Sequence, residues 1–74
     1  MTRAEVEAEV TRIWGDRARF EIEDAGLMFV LDGDDDMGLP RRPGDTDDML
    51  FERFGLWLAG VPTEYRDAQI AKRG

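Results

Sequence analysis

Residues 17–32, RARFEIEDAGLMFVLD, decide the fold class of this chain. Phe20 and Ile22 alternate with charged residues, and a period of two is typical of a strand with one buried face. The turn EDAG follows, with its glycine where a three-residue hairpin loop needs a left-handed residue. The stretch therefore predicts a β-hairpin in which Ile22 pairs with Met28 and Phe20 pairs with Val30.

The strand after this turn also carries large apolar residues on its other face, at Leu27, Phe29 and Leu31. Both sides of that strand would have to be covered, which favours a curled sheet or a small barrel. We therefore expect an α+β fold with an antiparallel meander of three to five strands, or an SH3- or OB-like barrel, and a C-terminal helix. Residues 1–74 are expected to form a single small domain.

Residues 4–14, AEVEAEVTRIW, fit a strand and a helix almost equally well. A strand places four apolar residues on one face and three glutamates on the other. In a helix, Thr2 and Glu5 form a capping box and Gly15 ends the helix. The apolar stripe of that helix consists of Val6, Val10, Ile13 and Trp14. If residues 15–17, GDR, are a hairpin loop, the apolar faces of three strands coincide, so we favour the strand.

Two later segments are also predicted. Residues 47–59, DDMLFERFGLWLA, fit a helix capped by Thr46 or two strands separated by Gly55, and the pattern leaves both open. Residues 62–73, PTEYRDAQIAKR, predict a short helix with proline and acids early and basic residues late. The residues expected to face the core are Tyr65, Ala68 and either Ile70 or Ala71.

The chain has few residues suited to catalysis, because its 74 residues include no Cys, His or Ser. Their absence excludes Ser-His-Asp and Cys-His hydrolysis, disulfide bonds and zinc–thiolate sites. The acidic residues are expected on a loop and not in a pocket that would hold them at a fixed separation. We therefore expect no enzyme, no catalytic residue and no cofactor.

The chain is acidic, with a net charge of -7 and a pI near 4.4. Residues 32–48 contain seven aspartates and two arginines, so this segment alone carries -5. We expect it to be an acidic connecting loop that repels DNA and RNA and attracts a basic protein surface. The expected partner-binding residues are Asp32, Asp34, Asp35, Asp36, Asp45, Asp47 and Asp48.

Asp32, Asp34 and Asp36 have the spacing of the first three ligands of a calcium-binding EF-hand loop. The sixth position of such a loop needs Gly and the twelfth needs Glu, whereas this chain has Met37 and Pro43 there. We therefore expect no specific metal site, and calcium binding no tighter than millimolar.

Four short matches carry a family resemblance: TRIWGDRARFEIE, LP at Leu39 and Pro40, GD at Gly44 and Asp45, and TEYRDAQIAKR. In this order they resemble a family of small bacterial single-domain proteins of unknown function. The meander alone is also similar to OB-type and S1-type barrels. The bacterial resemblance implies a fold and no activity.

These observations favour a non-enzymatic protein that docks on a basic protein surface. Its carboxylates would stand in for phosphates on a nucleic-acid-binding protein, as small acidic inhibitors encoded by phages do. One alternative is an OB- or SH3-like accessory module that binds RNA or peptide through Trp14, Phe20 and Trp57. Another is a structural homodimer formed through residues 49–58, MLFERFGLWL. No membrane contact and a cytoplasmic location are expected, because the chain has neither a long apolar run nor a signal-peptide pattern.

Overall fold

The computed structural model describes residues 1–73, and the side chains of residues 1–72. The elements are α1 (Arg3–Trp14), a 3₁₀ turn (Gly15–Arg17), β1 (Ala18–Glu23), β2 (Gly26–Leu31), β3 (Asp34–Pro40), α2 (Asp47–Ala59) and α3 (Thr63–Arg73). The fold is α+β, with a three-stranded antiparallel sheet in the order β1-β2-β3. Within the described residues β1 and β3 do not pair, so the sheet is open and the expected barrel does not form.

The segment predicted as a strand over residues 4–14 is the helix α1, so that prediction is wrong. The Thr2 hydroxyl accepts a hydrogen bond from the Glu5 N–H, and the Glu5 carboxylate accepts one from the Thr2 N–H at 2.9 Å. A strand would have put Ile13 on the glutamate face, whereas the helix buries it with three other apolar side chains. The buried residues of α1 are Val6, Val10, Ile13 and Trp14. Residues 15–17 form a 3₁₀ turn into β1 and not a hairpin loop.

The β1–β2 hairpin forms, but its register differs by one residue from the predicted one. Glu23 pairs with Gly26, so the loop has two residues, and Phe20 pairs with Phe29 instead of Val30. Because one slip moves every side chain to the other face, Phe29 now shares the core face with Phe20. The core face of β2 carries Leu27, Phe29 and Leu31. The side chains of β1 and β2 that pack in the core cluster therefore lie on one side of the sheet, whereas the buried Val30 lies on the other side.

Residues 47–59 form one helix, α2, and the two-strand alternative is excluded. The Thr46 hydroxyl accepts a hydrogen bond from the Met49 N–H at 3.2 Å and caps the helix. Gly55 is buried at the contact with α1, where a Cβ would lie 2.8 Å from Val6 Cγ2 and 3.1 Å from Met1 Cβ. The glycine that weakens the helix locally thus lets two helices approach closely. The other buried residues of α2 are Leu50, Phe51, Phe54 and Leu58.

The predicted core face of helix α3 is correct at Ile70 and wrong at Tyr65 and Ala68. Tyr65 and Ala68 are exposed, whereas Gln69 is buried and Ile70 packs against the core. The Gln69 side-chain oxygen accepts a hydrogen bond from the buried Trp14 indole N–H at 3.3 Å. Burial of this amide therefore satisfies the one polar group of the Trp14 side chain.

Arg66 of α3 joins the three helices. Its guanidinium donates to the carbonyl oxygens of Leu58 and Val61, near the end of α2, at 2.9 and 3.1 Å. It also forms an ion pair of 2.8 Å with Glu9 of α1. Hydrogen bonds from Arg12 and Arg66 hold the pKa of the Glu9 carboxyl below its ordinary value. A cation at a helix C-terminus is also favoured by the helix dipole.

Candidate functional site

The acidic segment 32–48 is not the connecting loop that was expected. Residues 34–40 form strand β3, and residues 47 and 48 belong to the first turn of α2. The seven aspartates predicted to bind a partner are therefore spread over a turn, an edge strand, a second turn and a helix. The structure divides them into two groups, according to whether an arginine of the same chain neutralises them.

Asp32 belongs to the neutralised group. Its two carboxylate oxygens accept hydrogen bonds from Arg17 Nε and Nη2, both at 2.8 Å. The bonds from Arg17 lower the pKa of the Asp32 carboxyl. Asp32 has a backbone φ of 54°, in the left-handed region, as the first residue of the β2–β3 turn. Aspartate tolerates this conformation better than most residues, so its main role here is to form the turn.

Asp45 braces the connection between β3 and α2. Its carboxylate accepts a hydrogen bond from the Arg42 backbone N–H at 2.9 Å and forms an ion pair with Arg53. The backbone bond and then the Arg53 bond lower the pKa of the Asp45 carboxyl. Arg53 also donates to the Pro40 carbonyl at the end of β3. With only 7% of its side chain exposed, Asp45 has a structural role in this connection.

The two aspartates in the first turn of α2 are also paired. Asp47 forms a 2.8 Å ion pair with Arg41, which in addition donates to the Glu23 carbonyl at 2.8 Å. Asp48 forms a 3.2 Å ion pair with Arg3. Acids at a helix N-terminus interact favourably with the helix dipole, so both residues also stabilise α2.

The remaining three aspartates, Asp34, Asp35 and Asp36, are exposed and consecutive at the start of β3. Among the described residues, no side-chain hydrogen bond or ion pair joins any of the three to another group. The register shifts here, with Val30 opposite Asp35 and Phe29 opposite Met37, so Asp36 is the extra residue of a β-bulge. We call residues 34–36 the aspartate edge, because β3 is an edge strand of the sheet.

A shallow groove lies on the face of the sheet that is turned away from the core. Its volume is about 220 Å³, and its lining includes Glu21 and Glu23 of β1, Met28 of β2 and Pro40 of β3. The two glutamates are not among the predicted partner-binding residues, although their spacing of two on a strand places them on one face. The groove thus carries two carboxylates, of which that of Glu21 forms an ion pair of 3.0 Å with Arg19.

Two of the three residues considered for base stacking are core residues. Trp14 is 1% exposed, and Phe20 packs with its ring centroid 4.9 Å from that of Phe51 and 5.1 Å from that of Phe54. Only Trp57, which is 43% exposed, has a ring face near solvent, and it contacts Phe54 at 5.2 Å. A row of exposed rings, which stacking on successive bases requires, is not formed by these three residues.

The described residues contain no group of three or more acidic side chains placed to hold a metal ion. No helix within residues 1–73 has the length and apolar character needed to cross a membrane. Comparisons with protein families, curated proteins and solved structures find no match to this chain. The resemblance to small bacterial proteins therefore stays a prediction.

Proposed function

We propose that this chain is a non-enzymatic binding protein whose aspartate edge docks on the basic surface of a protein partner. One observation carries the proposal: four of the seven aspartates of the segment 32–48 have arginine partners within the chain, and Asp34, Asp35 and Asp36 have none in the described part. The other four aspartates of this segment pair with arginines of the chain, and these three carboxylates are left to solvent.

The position of the aspartate edge suits a partner rich in arginine. Alternate residues of a strand lie roughly 6.6–6.8 Å apart, and the bulge at Asp36 redirects part of the row. Carboxylates and phosphates are both anions that a guanidinium grips with two hydrogen bonds. A nucleic-acid-binding protein is therefore the proposed partner, and the chain would occupy the surface that normally contacts phosphates.

Their position on an edge strand gives the three aspartates a second role, protection against aggregation. Charged side chains on an edge strand discourage pairing with another sheet, so the three aspartates protect the chain from aggregation whatever else they do. Protection alone needs charge but no particular partner. The two roles therefore differ in whether a specific protein loses affinity when the charges are removed.

The test uses two variants that carry the same net charge. The first combines Asp34→Asn, Asp35→Asn and Asp36→Asn; the control combines Asp16→Asn, Glu64→Gln and Asp67→Asn, which alters three exposed acids elsewhere. Each changes the net charge from -7 to -4. The first variant should fold, because it loses no ion pair and because removing neighbouring like charges relieves repulsion. The control should fold because the three acids that it changes are exposed and take part in none of the ion pairs described above.

The wild-type chain is immobilised and exposed to a bacterial lysate, and captured proteins are eluted with single-stranded DNA. A true partner should be released by DNA, and its association rate should fall about tenfold for the first variant and less for the control. Association should also slow as salt rises from 50 to 200 mM. Equal binding of both variants by the captured protein, or capture of nothing that DNA displaces, would refute the proposal.

A further inference from the structure

The outer face of α2 carries apolar residues where a helix of a monomer normally carries polar ones. Leu56 is 74% exposed and Met49 is 43% exposed, and they lie opposite the buried face of the helix. Met1, 42% exposed, lies beside them. Together with charged residues these side chains line a groove of about 490 Å³. We call this surface, formed by residues 1, 42, 45, 49, 52, 53 and 56, the α2 groove.

The order of residues along the α2 groove is self-complementary. Met49, Glu52, Arg53 and Leu56 have the spacing i, i+3, i+4 and i+7, which places all four on one face of the helix. A two-fold axis through the midpoint between Glu52 and Arg53 exchanges position 49 with 56 and position 52 with 53. Two antiparallel copies of α2 would therefore place Met49 against Leu56 twice and an acid against a base twice.

The charges of the groove fit a second copy better than a basic partner. Arg42 and Arg53 balance Asp45 and Glu52, whereas the chain as a whole carries -7. Arg53 and Asp45 are already paired with each other. Within the part of the chain that the structure describes, the Glu52 carboxylate and the Arg42 guanidinium have no hydrogen bond or ion pair. Each copy thus offers the Glu52 carboxylate and the Arg42 guanidinium, and the Arg42 charge also acts on Asp45 of its own chain.

We infer that the α2 groove is the contact surface of a symmetric homodimer. The two copies pair α2 antiparallel about the two-fold axis and bury Met49 and Leu56. The Glu52 carboxylate of each copy then lies against the basic side chains of the other, Arg53 and the Arg42 beside it in the groove. Such an interface is isologous, so it closes after two copies. The inference is independent of the proposed function, because it rests on α2 and not on the aspartate edge.

The two surfaces should respond to salt in opposite ways. Docking on a basic partner is attractive at long range and weakens as salt rises. Two copies that each carry -7 repel one another, so salt should strengthen their association by screening that repulsion. The two proposals can therefore be tested separately, and failure of one does not decide the other.

The first experiment is sedimentation equilibrium of the wild-type chain from 1 µM to 1 mM, at 50 and 500 mM salt. We expect a monomer–dimer equilibrium that shifts towards dimer at high salt. Leu56→Glu should weaken dimerisation at least tenfold. The control Tyr65→Glu, which puts the same charge on another exposed large side chain, should not. A wild-type chain that stays monomeric to 1 mM at 500 mM salt would overturn the inference, and so would a Leu56→Glu dimer as tight as the wild type.

The second experiment tests the symmetry itself by charge exchange. Glu52→Arg alone places two bases opposite each other, and Arg42→Glu alone places two acids opposite each other, so each variant should be monomeric. An equimolar mixture of the two should form a heterodimer, because both reciprocal pairs then join an acid to a base. A mixture as monomeric as its two components would show that residues 42 and 52 do not meet across a two-fold axis.

Discussion

Replacement of Gly55 by alanine measures how closely α1 and α2 approach each other. Alanine favours a helix by about 1 kcal/mol over glycine, so local propensity alone predicts a more stable protein. The added Cβ, however, would lie 2.8 Å from Val6 Cγ2 and 3.1 Å from Met1 Cβ. Valine on a helix has little rotamer freedom, so the helices themselves must separate.

The clash should outweigh the gain in propensity. Overpacking of a core contact costs roughly 1–3 kcal/mol, and a contact below 3.0 Å belongs near the upper end of that range. After about 1 kcal/mol of helix propensity is recovered, Gly55→Ala should lower the free energy of unfolding by about 1–2 kcal/mol. For a domain of this size the melting temperature should fall by roughly 4–16 °C.

Gly60→Ala is the matched control. Gly60 has φ -86° and ψ -4°, and its nearest neighbour for a Cβ is the Trp57 carbonyl oxygen at an ordinary 3.5 Å. Alanine fits there without strain and should stabilise the fold by about 0.4–1 kcal/mol. Thermal and urea denaturation followed by circular dichroism provide the assay. In the double variant Gly55→Ala with Val6→Ala, the combined loss of stability should be smaller than the sum of the two single losses, because the closer contact, with Val6 Cγ2, has gone. A Gly55→Ala variant more stable than wild type would refute the close helix contact.

Two further predictions concern charged residues that hold elements together. Because its folded-state pKa is lowered, Asp45 contributes stability above its unfolded pKa of about 3.9 and loses that contribution as the pH falls through the lowered value. Asp45→Asn should therefore lower the free energy of unfolding at pH 7, measured with urea, and should flatten its decline between about pH 5 and pH 2. The control Asp34→Asn should leave the urea midpoints unchanged. Arg66→Met, which keeps the aliphatic stem but removes the bonds to Glu9 and to the end of α2, should lower the urea-derived stability by about 2–3 kcal/mol. Arg19→Met, which removes an exposed pair with Glu21, should cost less than about 1 kcal/mol, and equal losses would contradict the structural role of Arg66.

The candidate site could be predicted only in part from the sequence. Composition located the excess of negative charge in residues 32–48, and that property does not depend on the fold. Which aspartates are free depends on arginines that are distant in sequence, such as Arg17 for Asp32 and Arg3 for Asp48. No local pattern reports a contact across 45 residues, so the three unpaired aspartates could not be separated from the four paired ones.

Prediction of the secondary structure was also limited by contacts between residues that are distant in sequence. A capping box at Thr2 and a strand-like alternation were both present in residues 2–14, and the local signals nearly cancelled. The contact with α2 decided between them, because only a helix brings Val6 against Gly55 and buries Ile13 together with Trp14. The register of the hairpin was also decided by a small difference, because one residue of loop length determines which side of the sheet Phe29 faces.

By itself, the sequence determined the acidic charge, the absence of the nucleophile–base pairs of hydrolases, and the α+β class, because these follow from residue inventory and from a strongly alternating hairpin. The tertiary structure alone decided that α1 is a helix, that the sheet is open, and that Asp34, Asp35 and Asp36 are left unpaired in the described chain. The physical reason is that a residue's own preferences are worth about 1 kcal/mol or less, whereas burial of a large apolar side chain is worth about 1.5–3 kcal/mol and depends on partners far along the chain.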